Sequence, residues 1–113
     1  MTKYLISFPS AAMQVPLGEL HEVADAAHAV IREMRDAGVY VFGGGIDESV
    51  PPVLVAADET VSEGTYPETA LLDGGFTVIE AASREDAVRW AAKTAAACRC
   101  TQELREFQYD PLV

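Results

Sequence analysis

Imidazole is the side chain best suited to exchange a proton near neutral pH, and this sequence holds two, His21 and His28. At about 100° per residue on a helix, His28 falls at the edge of an apolar stripe, beside Ala24 and Arg35. That boundary position makes it a candidate general base. Asp25, three residues back, favours its charged form, and Arg32, four residues on, disfavours it. The plainer reading has His28 simply edging the helix. His21 lies two turns earlier, roughly 10 Å along the axis, so the two histidines cannot share a metal ion. Asp47 follows the run Gly43-Gly44-Gly45-Ile46. Successive glycines permit close approach of a ligand to the backbone, with Asp47 or Glu48 as acid or base beside it. The alternative is a tight turn or bulge at a strand end. Tyr66, Glu68 and Thr69 gather a phenol, a carboxylate and a hydroxyl on one loop, a set that orients a polar ligand or closes a sharp turn. Asp73, before Gly74-Gly75, reads as a turn residue. Cys98 and Cys100 are too close in sequence for an unstrained disulfide, and with no further cysteine they cannot build a structural zinc site. No phosphate loop, nucleotide fingerprint, nucleophile elbow or zinc-helix motif is present, so the sequence implies no cofactor and no metal.

The elements that must position these groups follow from periodicity. Tyr4-Leu5-Ile6-Ser7-Phe8 alternates as a strand and ends at Pro9. Between Glu19 and Ala37 the period changes: Leu20, Val23, Ala27, Val30, Ile31 and Met34 trace one helical stripe, with Gly38 as its C-terminal stop. Val39 to Phe42 reads as a strand halted by the three glycines. Val53 to Ala56 and Thr60 to Ser62 form a hairpin turning at Asp58-Glu59. Gly75 to Glu80 is a further strand. Ser83 is a helix N-cap, with Glu85 and Asp86 in the first turn, and the helix runs from Arg84 to Ala97 with Trp90 at the core's edge. Thr101 to Phe107 is assigned as the last strand because the topology needs one. The order, β-α-β, a hairpin, then β-α-β, predicts an α+β ferredoxin-like plait: one antiparallel sheet, two helices on one face and an inserted hairpin. Tyr4, Ile6 and Phe8 point one way and Leu5 the other, so the first strand is apolar on both faces. An uncovered apolar sheet face calls for a partner. The expectation is a homodimer, sheet on sheet, closing a barrel-like shape.

With 113 residues, half of them hydrophobic, the chain suits a single folded domain, 1–113. Eight Lys and Arg against eighteen Asp and Glu leave a net charge of −10. A field of that sign repels phosphate backbones and anionic membranes, which argues against nucleic-acid and membrane partners. No apolar run is long enough for a signal peptide or a membrane span, and unpaired thiols suit a reducing compartment, so a cytoplasmic location is expected.

Several stretches resemble YCII-related proteins of the DGPF type. Gly64-Thr65-Tyr66-Pro67-Glu68-Thr69, then Leu72 and Gly74-Gly75-Phe76-Thr77-Val78-Ile79, is similar to that family's Asp-Gly-Pro-Phe-x-Glu-Thr…Gly-Gly-Phe segment. Arg35-Asp36-Ala37-Gly38-Val39 and Ser83-Arg84-Glu85-Asp86-Ala87-Val88-Arg89-Trp90-Ala91 also look like it. The family's Asp-Gly-Pro-Phe stands here as Glu63-Gly64-Thr65-Tyr66, with the proline moved to Pro67. The resemblance implies a ferredoxin-like fold in a dimeric α+β barrel. In one branch a first-helix histidine and an aspartate form a proposed catalytic pair, and the nearest match to that histidine is His28, ten residues before Gly38. The functional expectation is therefore a small-molecule-binding dimer working as a cofactor-free acid–base enzyme. In it His28 moves the proton, and Asp47, Tyr66, Glu68 and Thr69 serve the ligand. The other expectation is a non-catalytic interaction or regulatory module acting through its dimer surface.

Overall fold

A computed structural model describes residues 1–113. Strand β1 (Thr2–Phe8) leads through two 3-10 turns into helix α1 (Leu20–Asp36). Strands β2 (Tyr40–Gly45), β3 (Val53–Val55), β4 (Val61–Glu63) and β5 (Gly75–Ala81) follow, then helix α2 (Arg84–Cys98) and strand β6 (Glu103–Glu106). The main sheet has the order β2-β5-β1-β6 with every pair antiparallel, and β3-β4 is a separate two-stranded hairpin. Two β-α-β halves whose first strands lie side by side in the centre make the ferredoxin-like plait, here with the hairpin inserted between β2 and β5.

Alternation along β1 sorts the two faces. Tyr4 and Ile6 join Ile79 and Ala81 of β5 in the core, closed above by Val30 and Met34 of α1 and by Ala87 and Ala91 of α2. Trp90 and Leu104 are partly buried against the edges of this cluster. Fully burying Ile6, Met34 and Ile79 contributes about 1.5–3 kcal/mol each. Both helices are thus on one face.

Local chemistry ends the helices where the sequence indicated. Gly38 takes a φ of +73°, open to glycine without strain, and the Gly38 and Val39 amides donate to the carbonyls of Arg35 and Met34. Ser83 accepts from the Asp86 amide at 3.1 Å as the N-cap of α2. The C-terminal end of α2 is less regular. Arg99 is left-handed at φ 57°, a conformation glycine usually supplies, and its guanidinium reaches Glu19 at 2.6 Å and Glu22 at 3.6 Å.

Two expectations are corrected. The glycine run does not stop β2: Gly43, Gly44 and Gly45 pair with Thr77, Phe76 and Gly75 after a bulge at Tyr40–Phe42. Glycine weakens a strand through entropy, yet its backbone groups still pair when a neighbouring strand holds them. The second hairpin strand begins at Val61, one residue later than expected, because Asp58 accepts from the Thr60 amide at 2.9 Å and Glu59 adopts a φ of 70°. That turn uses Thr60.

The outer face of the sheet carries two cross-strand rows. Phe42, Val78, Leu5 and Arg105 form one, and Gly44, Phe76, Ser7 and Glu103 the next. No helix covers them.

Candidate functional site

Small side chains facing one another make the site. On α1 the side toward the open end of the sheet carries Ala24 and Ala27, and on the sheet beneath it stand Gly45 and Gly75. None can fill the space between the helix and the strands. The result is a cavity of about 440 Å³ whose walls are mostly apolar, with Phe8, Met13, Leu20, Ile31 and Met34 among them. Its size falls within the range of small-molecule sites. Gly75 also lets a ring lie flat: a Cβ there would come 2.6 Å from Phe8. The sequence reading of the glycine run as a place where a ligand nears the backbone has this counterpart, since Gly44 and Gly45 line the cavity.

His28 lines the rim and is itself exposed. Asp25, expected to act on it, instead pairs with His21 at 3.3 Å, one helical turn away. His28 makes no side-chain hydrogen bond or ion pair within the chain. Thr77, Thr94, Cys98 and Gln102 supply the remaining polar groups. The Thr94 hydroxyl donates to the Trp90 carbonyl at 3.0 Å, which leaves its oxygen able to accept. Gln102 donates from Nε2 to the Cys100 carbonyl at 3.2 Å, which leaves its Oε1 able to accept.

Periodicity had not pointed to Thr94, Cys98 and Gln102 as site residues. They come from α2 and the turn after it, and only the packing of α2 beside α1 brings them to the cavity. The alternation of Gly75 and Thr77 with Phe76 would have placed the first two on the helix-facing side. Which end of that face stays unfilled depends on the neighbouring helix.

The other candidate residues stand elsewhere. Asp47 accepts from the Ser49 hydroxyl at 2.6 Å and the Ser49 amide at 3.0 Å, and these bonds hold its carboxyl below the usual carboxylate range. Tyr66 is 69% exposed, and its carbonyl, not its phenol, is engaged: the Thr69 amide donates to it at 3.1 Å and the Thr69 hydroxyl at 3.3 Å. With Pro67 at its start, this segment is a short 3-10 turn in which Glu68 faces solvent. Within one chain, none of Asp47, Tyr66, Glu68 and Thr69 lines the cavity with His28. Asp73, read as a turn residue, instead ties two distant segments together, accepting from the Ser10 amide at 2.9 Å.

Cys98 and Cys100 are free thiols. Burial pushes both up from the ordinary thiol value; the neighbouring Cys100 adds to the rise at Cys98, and the Gln102 hydrogen bond opposes it at Cys100. A raised folded value means the native state keeps the proton longer than the unfolded chain. The stability this brings is whole below about pH 8.5, the unfolded thiol value, and drains away as pH rises through the folded values. Buried Cys98 should be alkylated about tenfold more slowly than half-buried Cys100 at mildly alkaline pH, as mass spectrometry of iodoacetamide-treated protein would read. Equal rates would mean that α2 frays at its end.

Fold and site together define a class: a ferredoxin-like α+β protein with an apolar cavity between its first helix and the sheet. No family model matches the sequence, and no curated protein is similar to it. Among solved structures, the chain is similar to 5-chloro-2-hydroxyhydroquinone dehydrochlorinase from Burkholderia phenoliruptrix, solved in complex with 2,5-dihydroxybenzoquinone. The two are 14% identical, the match covers 96% of this chain and 95% of that one, and the TM-score is 0.49. The fold assignment stands on this chain's own strand order. No helix is long and apolar enough to cross a membrane.

Proposed function

We propose that the chain is a YCII-related protein that binds a small molecule in the cavity beneath α1, as a homodimer joined sheet to sheet, with His28 as the proton-moving group. The observation that carries the reading is the cavity itself, ligand-sized and apolar, with an imidazole free of intramolecular partners at its rim.

The dimer is supported by surfaces one chain leaves open. Phe42 is 65% exposed on β2, at the edge of the outer sheet face, and Val53, Val55 and Val61, on one side of the hairpin, are each half exposed or more. A two-stranded hairpin with a bare valine face is marginal in water. The radius of gyration is 15.6 Å, where a compact chain of this length has about 13 Å. Charge points the same way. The outer face pairs Lys3 with Glu80 at 3.7 Å and Arg105 with Glu103 at 3.4 Å, so each of these acids is matched by a base in a chain of net charge −10. Two copies can meet there without meeting each other's acidic excess. Asp47, Tyr66, Glu68 and Thr69 enter the reading only if a second copy brings them near the cavity.

One observation favours the other reading, a non-catalytic interaction module: no carboxylate lines the cavity to orient the imidazole. The two separate on His28. A compound that raises the melting temperature of the wild type should lose about tenfold in affinity against His28→Ala, the size of one lost hydrogen bond to a polar group. A compound that stabilises both proteins equally removes His28 from the site.

A further inference from the structure

The cavity lining is unusual in what it omits. It holds no Asp, Glu, Lys or Arg, in a chain where 23% of residues are charged. Its polar groups are two hydroxyls, a thiol, one carboxamide and one imidazole, and none of them carries a permanent charge. Thr94 already donates to the helix, and the Cys98 thiol stays protonated. A ligand carrying a full charge into this space would lose its water and find no countercharge. Burying an unpaired ion costs several kcal/mol even after relaxation, more than the apolar walls return for a small molecule. An anion would in addition enter against the field of a chain carrying −10. A cation would be drawn toward the chain by the same field, yet inside it would meet no carboxylate.

We infer that the ligand of this cavity is an uncharged, largely apolar small molecule whose few hydrogen-bonding groups meet His28 and the Gln102 carboxamide. The inference rests on the reading that the cavity is the ligand site, and it narrows the chemistry of what enters. At about 440 Å³ the space lies toward the small end of ligand pockets, which suits a compact molecule rather than a chain or a nucleotide.

Two dyes with a common body test it. N-phenyl-naphthylamine is neutral, and anilinonaphthalene sulfonate is the same ring system carrying one negative charge. Both brighten in apolar surroundings, so fluorescence titration gives their affinities. The neutral dye should bind at least about tenfold more tightly, a difference of about 1.4 kcal/mol. Place is read separately, because Cys98 lines the cavity and Cys100 does not. Saturating neutral dye should slow alkylation of Cys98 and leave Cys100 unchanged. Gly45→Leu provides a second reading: a Cβ at Gly45 meets no atom within 4 Å, so the leucine can enter the cavity without displacing backbone. It should weaken the neutral dye about tenfold or more. Should that variant misfold by circular dichroism, Cys98 protection in the wild type decides alone. If both dyes protect Cys98 with equal affinity, the cavity remains the site but the uncharged class is wrong. If neither protects Cys98, the cavity is not a ligand site, and this inference falls with the reading it rests on.

Discussion

Phe42→Asp is expected to turn the proposed dimer of 12.1 kDa chains into monomers while leaving each chain folded. The ring is 65% exposed in the single chain and takes no part in the core cluster, so losing it should not disturb the fold. In a sheet-to-sheet dimer the same ring is buried against the other copy. Burying a phenylalanine is worth about 1.5–3 kcal/mol, and twofold symmetry counts it twice. The carboxylate put in its place must also lose water beside Val78 and Leu5, its neighbours in the row. Together these weaken association by more than about a thousandfold. Sedimentation velocity at micromolar concentration reads the mass, and far-ultraviolet circular dichroism reads the fold. A wild type that sediments as a monomer ends the dimer proposal. A variant that still pairs moves the contact elsewhere, first to the valine face of the hairpin.

The second large effect lies at Gly74. A Cβ there would fall 2.0 Å from the carbonyl oxygen of Phe8, 2.8 Å from the Ser10 nitrogen and 2.9 Å from the Pro9 carbonyl carbon. All three are backbone atoms and cannot rotate aside. The neighbourhood is also tied down, since Asp73 accepts from the Ser10 amide at 2.9 Å and the Ile46 amide donates to Gly74 at 2.9 Å. The ends of β1 and β2 and the start of β5 meet at this point. Gly74→Ala must therefore part strands rather than move a side chain. It should cost about 3 kcal/mol, the upper part of the usual overpacking range. In a domain of this size that lowers the melting temperature by roughly 12 °C. Gly18→Ala is the matched control: a Cβ at Gly18 meets nothing within 4 Å, so its effect should stay within about 0.5 kcal/mol. Two similar thermal shifts would mean that the close approach at Gly74 is relieved at little cost. Because Phe8 and Met13 flank this junction and line the cavity, Gly74→Ala should weaken ligand binding as well.

By itself, the sequence determined the elements and the alternation that sorts the first strand into two faces, while the packing of the helices chose which face holds the core. The stripe from Leu20 to Met34, the alternation of Tyr4, Ile6 and Phe8, the stop at Gly38 and the cap at Ser83 are local signals. Each is written in residues that are neighbours along the chain, so period and turn chemistry suffice to read them. The course of β2 was not legible in the same way, because a glycine run looks like a stop until a neighbouring strand supplies the pairing. The site needed more. His28 was visible as an edge residue, but its partnership with Asp25 was not: in the folded helix Asp25 turns to His21. Asp47 and Thr69 spend their polar groups within their own turns, and the Tyr66 phenol and Glu68 carboxylate stand in solvent away from the cavity. Gln102 and Cys98 look unremarkable in the sequence yet stand at the cavity wall. A cavity is the volume that several elements fail to fill, and that volume depends on the packing of α1 and α2 over the sheet. Only the tertiary structure sets Ala24 and Ala27 opposite Gly45 and Gly75, and the space for a ligand follows from that meeting of small residues.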